Sequence, residues 1–294
     1  TFQSANSSWS QRCQPAHAES VDSSHMKKSA YLFCFWGVLK REFQRSLQQR
    51  TRFISALVRP LLWLAVFAAG FRGTLEGMVI ALYGTPVDYE VYITPGLIGM
   101  IILFNSMQSS LSMVYDREMG SMRVLLTSPL PRSYLLFCKL FAIALTSMLQ
   151  VYAFLAVAFL FDVAPPALGY LTALPAILMG AFILGALGLL LASLIEQLEN
   201  FAGVMNFVVF PLFFLSPALY PLTFMQDGNT WVYWACVINP FTYVVELIRH
   251  ALYLDLNTPA LLVNLVAFAV LTTAAVMGFD PARRMLHTKG PKGR

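Results

Sequence analysis

Long apolar stretches alternate with short polar ones along most of the chain, and their lengths predict membrane-spanning helices. An α-helix needs about 20 mainly apolar residues to cross the hydrocarbon core of a bilayer. We predict six spans, near 56–71, 93–114, 135–161, 170–195, 201–215 and 258–279. The predicted fold class is therefore all-α and integral to a membrane.

The stretch at 30–54 follows a different pattern, because apolar and basic residues are interleaved there. Its apolar residues recur at helical spacing, and most of its basic residues fall off that stripe. The apolar positions are Phe35, Val38, Leu39, Phe43 and Leu47, and the basic ones are Lys40, Arg41, Arg45 and Arg50. This pattern predicts a helix lying in the membrane interface; a simple N-terminal extension of the first span is the alternative. We expect residues 1–26, which are polar, to be a disordered extension.

Prolines and aromatic residues break the helical pattern at 216–253, ahead of the last span. Helices rarely continue through closely spaced prolines, yet this stretch is too apolar for a solvated loop. Backbone that leaves the helix at membrane depth must be buried in protein or line a wet cavity. We predict a re-entrant pair of short helices on the outer side, in which Glu246 can pair with Arg249 or His250. The expected turn residues are Pro217, Pro221, Asn239 and Pro240.

Polar side chains are concentrated in the second half of the second span. Such residues either bond to neighbouring helices or line a path. The candidates for a path are Asn105, Gln108 and Ser109, together with Asn206 and Phe210 of the fifth span. Small residues (Gly180, Gly185, Ala186, Gly188) mark the fourth span and predict close helix packing. At the start of the first span, Arg59 is expected to extend to the cytosolic boundary.

Composition and charge agree with a membrane protein and indicate its orientation. The chain is 57% hydrophobic and 12% charged, whereas a typical soluble domain is about 25% charged. Eighteen of its 20 Lys and Arg residues lie at or before position 59, in 115–139, or after position 280. Six spans with both termini in the cytosol place all of these on the cytosolic side, as the positive-inside rule requires.

Several classes of activity are not supported by any motif in the chain. There is no phosphate-binding P-loop, so we expect that the chain does not itself hydrolyse ATP. There is no HExxH or GxSxG motif, and the four histidines and four cysteines are scattered, so we predict no catalytic residue and no metal site. The predicted spans also lack the acidic residue that ion-coupled transporters usually keep.

A charged segment at 115–139, YDREMGSMRVLLTSPLPRSYLLFCK, separates two long apolar runs and must lie at a membrane surface. It resembles the segment between the second and third spans of type-2 ATP-binding-cassette (ABC) exporter permeases, with an acid-Arg-Glu-x-Gly stretch, a Ser-Pro-x-x-Arg turn and a Lys entering the next span. The runs NPFTYVVELIRHAL and FLSPALYPL resemble later motifs of that family. The resemblance covers about 27–284, and one departure is Pro217, where many relatives carry a small residue.

The resemblance implies a transmembrane domain that pairs with a second permease chain, as a homo- or heterodimer, and docks two copies of an ABC ATPase subunit. A coupling helix near 118–127 would contact the ATPase, with the interfacial helix as a second contact. The coupling residues would be Arg117, Glu118, Gly120, Arg123, Ser128, Pro129 and Arg132. Arg132 and Lys139 would hold the acidic or phosphate-rich membrane boundary. The alternative is a solvated loop whose charges only determine the membrane topology.

The expected function is therefore that of an ATP-driven exporter subunit for an amphipathic or apolar substrate. ATP and Mg would bind the partner ATPase, and this chain would bind no cofactor and no nucleic acid. The expected location is a plasma (bacterial inner) membrane, with residues 285–294 as a basic cytosolic tail. A passive channel, a membrane scaffold subunit and an integral membrane enzyme are the alternatives.

Overall fold

Helices make up almost all of the part of the chain that our computed structural model describes, which is 23–48, 50–75, 89–119, 131–161, 165–195, 197–222 and 230–278. The chain divides into two compact units, Thr1–Gly37 and Val38–Arg294; the first contributes the beginning of α1. The helices are α1 (Ser23–Gln48), α2 (Arg50–Leu75), α3 (Tyr89–Glu118), α4 (Arg132–Ala158), α5 (Gly169–Leu194), α6 (Leu198–Phe214), α7 (Thr230–Ile238), α8 (Pro240–Leu252) and α9 (Thr258–Gly278). A 3-10 turn, Phe159–Phe161, follows α4. The described ranges contain no β-strand.

Four of these helices, α3, α4, α5 and α9, are long and apolar enough to cross a bilayer. Helices α7 and α8 reach that length only together, and they are bent by 73° where they meet. Two shorter apolar helices are Phe53–Val66, within α2, and α6. The prediction of an all-helical integral membrane protein is therefore confirmed, whereas six spans and a re-entrant pair stay predictions.

The helix boundaries lie close to those expected from the apolar pattern, except at the N-terminal side. The predicted spans at 170–195 and 258–279 correspond to Gly169–Leu194 and Thr258–Gly278. The predicted interfacial helix at 30–54 is divided, because α1 ends at Gln48 and residues 50–54 belong to α2. Helix α1 begins at Ser23, before the predicted start.

Helix α5 is the hub of the packing, since it contacts α3, α4, α8 and α9. Its glycines face three different neighbours. A Cβ at Gly180 would lie 2.7 Å from Val244 of α8, and one at Gly188 would lie 2.5 Å from the Ser110 hydroxyl of α3. The close approach predicted from the small residues of this span is thus confirmed.

Helix α3 is the most buried of the four long apolar helices. Burial covers 83% of its most apolar 18-residue window, compared with 17% for α9. Helix α3 contacts α2, α4, α5, α6 and α8, and its side chains Ile93, Leu97, Ile98 and Ile102 are fully buried. Both ends of α3 carry polar and charged side chains that touch several of these neighbours, and the candidate site is built there.

Candidate functional site

Arg249 of α8 fastens the irregular turn that follows α6. Its guanidinium donates a 2.7 Å hydrogen bond to the Pro217 carbonyl, forms an ion pair with Glu246 and lies 4.2 Å from the centroid of the Tyr92 ring. The Tyr92 hydroxyl donates to the same carbonyl at 3.1 Å. The predicted pairing of Glu246 and Arg249 is therefore confirmed, and Arg249, only 4% exposed, joins α3, α8 and the turn.

Asn239 connects the same turn to the junction of α7 and α8. Its side-chain amide donates 2.7 Å hydrogen bonds to the carbonyls of Leu212 and Leu215, which end α6. Its oxygen accepts from the Phe241 N–H at 2.9 Å and so caps α8, whose first residue is Pro240. Carbonyls left without helical partners are thereby satisfied by a side chain.

The N-terminal part of α3 closes on this turn from the other side. The Tyr89 hydroxyl donates to the Leu219 carbonyl at 2.9 Å. Gly96 lies against Ala218, where an added Cβ would stand 2.3 Å from the Ala218 carbonyl oxygen. Pro217 is buried and Pro221 is partly buried. Every residue predicted for the turn thus lies at this one junction, although its re-entrant placement in a membrane is untested.

Four charged side chains form a cluster where α3 nears its C-terminal end; we call Arg41, Glu42, Asp116 and Lys139 the charge cluster. Arg41 lies 2.9 Å from Glu42 and 3.7 Å from Asp116. Lys139 lies 3.8 Å from Asp116 and 4.0 Å from Glu42. Lys139 is only 7% exposed and joins α4 to α3 and α1 inside the protein; its place at the membrane boundary stays a prediction.

The next two residues of α3 bind the connection between α5 and α6. Arg117 donates to the Ile195 carbonyl at 3.4 Å, and the Glu118 carboxylate accepts from the Leu198 N–H at 2.8 Å. Glu118 thus caps the N-terminus of α6. Glu118 is the last residue of α3, and was predicted to begin the coupling helix.

Most of the predicted coupling helix near 118–127 lies outside the described residues. Gly120, Arg123, Ser128 and Pro129 belong to that part of the chain. Arg132 is the first residue of α4. The roles assigned to these residues therefore stay predictions.

Asn105, a candidate pathway residue, holds α3 against α4. Its side-chain amide donates to the hydroxyls of Thr146 and Ser147, at 3.1 and 2.7 Å. Ser110 donates within α3, to the Ser106 carbonyl at 2.8 Å. Part of the polar half of α3 therefore serves helix packing, one of the two roles that its composition allowed.

Two small cavities flank Asn105. One, of about 30 Å³, is lined by polar residues of α3 and α4 (Asn105, Ser109, Ser112, Thr146, Gln150) and by Glu42 and Lys139 of the charge cluster. The other, of about 10 Å³, lies between α2 and α3 and includes Gln108. Ligand pockets usually exceed about 300 Å³, so neither cavity is an open path in this conformation.

The two candidates from the fifth span are placed elsewhere. Asn206 and Phe210 lie on the exposed side of α6, with Phe210 48% exposed, and neither lines the cavities beside Asn105. The structure therefore places Ser109 and Gln108 in separate cavities that share Asn105, and it places the pair on α6 in neither.

The charge cluster and the Glu118 cap were not found by reasoning from the sequence. Asp116 and Glu118 stood out as charges next to a span, but their partners are far away in the chain. Leu198, for example, follows Glu118 by 80 residues. Helical periodicity predicts neighbours three or four residues apart and carries no signal for such pairs.

Comparison with known proteins identifies the family of this chain. Residues 34–253 match the model of the ABC-2 type transporter family. The chain is 29% identical to "Putative transport permease ycf38" of Cyanophora paradoxa, over 72% of this chain and 71% of that protein. It is 28% identical to the proteins of the same name from Porphyra purpurea, over 72% of each, and Pyropia yezoensis, over 69% of this chain and 68% of that protein. The matched segment runs from α1 to the residue after α8 and includes both ends of α3, so this multi-pass membrane chain belongs to the ABC-2 type transporter family.

Proposed function

We propose that this chain is the membrane-spanning permease subunit of an ATP-driven ABC exporter. It moves an amphipathic or apolar substrate outward, and a separate ATPase subunit supplies the energy. ATP and Mg bind that partner, and this chain carries no catalytic residue. In the proposed assembly two permease chains pair and two ATPase copies dock, with both termini in the cytosol of a bacterial inner membrane.

The contacts made by three successive residues of α3 carry the proposal. Asp116 reaches Arg41 of α1 and Lys139 of α4. Arg117 and Glu118 reach the connection between α5 and α6. The end of α3, to which the segment after Glu118 is attached, is therefore tied to α1, α4 and the start of α6 at once. If an ATPase displaced this segment, the three helices would move with it. A solvated loop without such contacts would absorb the displacement instead.

The opposite end of α3 is fastened in a similar way. Tyr89 and Tyr92 donate to carbonyls of the turn at 215–221, and Arg249 donates to one of the same carbonyls. In the proposed orientation, α3 is a buried helix whose charged end lies on the cytosolic side and whose aromatic end lies on the outer side. In our mechanism, displacement of the inner end shifts the outer turn and opens the path.

Nucleotide can drive this change only through a difference in affinity between two states of the assembly. We propose that the ATP-bound ATPase pair prefers the state in which the inner end of α3 is displaced. Asn105, Gln108 and Ser109 then part from α4 and α2 and line the path. Asn206 and Phe210, which are exposed on α6 and apart from these three in the present conformation, join the path only in that state.

Transport into inside-out vesicles tests this function. Vesicles containing the chain and its co-purified ATPase should accumulate a lipophilic fluorescent probe with Mg-ATP, and not with a non-hydrolysable analogue. A passive channel would equilibrate the probe without nucleotide. A membrane enzyme would convert its substrate as the isolated chain, and either result would overturn the proposal.

A further inference from the structure

A cation lies within the apolar part of α2, against an aromatic ring of α3. The guanidinium of Arg59, in α2, is 4.0 Å from the centroid of the Phe104 ring in α3. Phe104 follows Glu90 by 14 residues and precedes Asp116 by 12, which is about 21 and 18 Å along a helix. Both distances are large compared with one helical turn, so Phe104, and with it Arg59, lies far from the charged residues at either end of α3. The expected extension of Arg59 to the cytosolic boundary stays a prediction.

Arg59 is an exposed residue, and the polar groups beside it do not neutralise its charge. The cavity between α2 and α3 brings Arg59 together with Ser55, Asn105 and Gln108. Among the residues that the structure describes, no carboxylate lies within ion-pair distance of Arg59. Because a cation in hydrocarbon is costly without a partner, an anion from outside the described chain would be stabilised here.

The surface beside Arg59 suits an alkyl chain. Ile54, Val58, Leu62 and Val66 recur every four residues on α2, and each is between 44% and 61% exposed. They form an apolar stripe along the helix that carries Arg59. A head group at Arg59 would therefore place an attached tail along this stripe.

We propose that Arg59, with the polar groups of Gln108 and Ser55, binds the anionic head group of an amphipathic substrate in the cleft between α2 and α3. The head group is a carboxylate or phosphate, since a guanidinium donates two parallel hydrogen bonds to either. The cavity of about 10 Å³ holds roughly one water-sized group, so one oxygen enters it and the tail stays outside. This inference rests on the proposed export function and names its substrate class.

Binding of a brominated fatty acid tests the assignment, because bromine quenches nearby tryptophan fluorescence. Trp63 lies one helical turn beyond Arg59 on α2. The full chain is prepared with its other four tryptophans replaced by Phe, reconstituted in phosphatidylcholine vesicles and titrated with dibromostearate or its methyl ester. At alkaline pH, where the acid is ionised, the acid should half-saturate the quenching at a concentration about tenfold lower than the ester does.

Three variants test whether Arg59 causes the preference for the acid over its methyl ester. Arg59→Gln should bring the ratio of the two half-saturation concentrations to about one, and Arg59→Lys should keep part of it because it keeps the charge. Lys40→Gln removes one charge from an exposed position of α1 and should leave the ratio unchanged. An equal ratio in Arg59→Gln and the parent chain would overturn the proposal.

Two further titrations separate possible sources of the anion. Millimolar acetate, which has a head group and no tail, should not displace the brominated acid; full displacement would contradict an amphipath site. Addition of phosphatidylglycerol to the vesicles should leave the preference in place, and its loss would assign Arg59 to bilayer lipid instead. Loss of a dimer in Arg59→Gln with an unchanged preference would assign it to a contact between chains. The assay needs no nucleotide and no ATPase, so it can fail while ATP-driven transport holds, and the reverse.

Discussion

The carboxylate of Glu118, the last residue of α3, accepts a 2.8 Å hydrogen bond from the backbone N–H of Leu198, 80 residues further along the chain. A carboxylate at this place accepts a hydrogen bond from an N–H of the first turn of α6. Its negative charge also interacts favourably with the positive end of the α6 dipole. The start of α6 therefore follows any movement of the end of α3. In the proposed exporter this bond carries motion from the coupling segment to α6.

Removing the Glu118 cap should loosen α6 and uncouple ATP hydrolysis from transport. Glu118→Ala removes the acceptor and should cost about 1 kcal/mol of unfolding free energy, while Glu118→Gln keeps an oxygen and should cost less. Faster hydrogen exchange at Leu198 and the next residues should accompany a lower number of probe molecules moved per ATP. Glu199→Gln, which alters an exposed acid in the first turn of α6, is the matched control. Normal coupling in Glu118→Ala would exclude this route.

Adding one methyl group at Gly96 should disturb the turn at 215–221. The new Cβ would stand 2.3 Å from the Ala218 carbonyl oxygen and 2.7 Å from the Ala218 Cα, so backbone must move. We expect Gly96→Ala to lower the unfolding free energy by about 1–3 kcal/mol, measured by thermal unfolding in detergent.

Gly203→Ala is the control for that substitution. Gly203 is in α6, and an added Cβ there would meet nothing within 4 Å. Because alanine favours the helix over glycine, the change should be neutral or should stabilise by about 0.5–1 kcal/mol. Equal effects of the two substitutions would mean that α3 and the turn do not pack as described.

Arg249, which is buried, and Glu246, which is partly buried, should behave as an energetically coupled pair. Arg249→Met leaves Glu246 and the Pro217 carbonyl without their shared donor and should cost about 3–5 kcal/mol. Once Arg249 is replaced, Glu246→Gln should cost less than it does in the parent chain. A double-mutant cycle from thermal unfolding measures the difference, and strictly additive effects would argue against the ion pair.

The side chains of the charge cluster should also be energetically coupled to one another. Lys139→Met leaves the carboxylates of Glu42 and Asp116 close together without the buried cation between them, and should lower the melting temperature clearly. The double variant Lys139→Met/Asp116→Asn should recover part of the loss, since it removes one of the two acids. Lys40→Met, at an exposed position of α1, should have little effect. No recovery in the double variant would place the cost elsewhere, in side-chain packing.

The apolar pattern was sufficient to predict most helices, and helical spacing was sufficient to predict one ion pair. The last span, expected at 258–279, is Thr258–Gly278, because nothing but apolar length and flanking polar residues sets its ends. Glu246 and Arg249 are three residues apart on one helix, so helical geometry alone brings them together.

The pattern was insufficient wherever two distant segments meet. The placement of Arg59 over Phe104 depends on the packing of α2 against α3, and the bond from Asn105 to Ser147 depends on α4. Such contacts depend on how the helices pack together. The spacing of residues within one segment does not predict that packing. For the same reason Lys139, which looks like a boundary residue in the sequence, is buried among acids of two other helices.

The central claim is that the segment after Glu118 binds a separate ATPase, and a photo-cross-link from position 123 tests it most directly. The Arg123→benzoylphenylalanine variant, irradiated in native membranes and purified, should carry a covalently attached protein that contains a P-loop, and the purified complex should hydrolyse Mg-ATP. The chain stripped of that protein should hydrolyse none. Cross-links only to lipid or to proteins on the outer face, with no ATPase activity in the complex, would contradict the account.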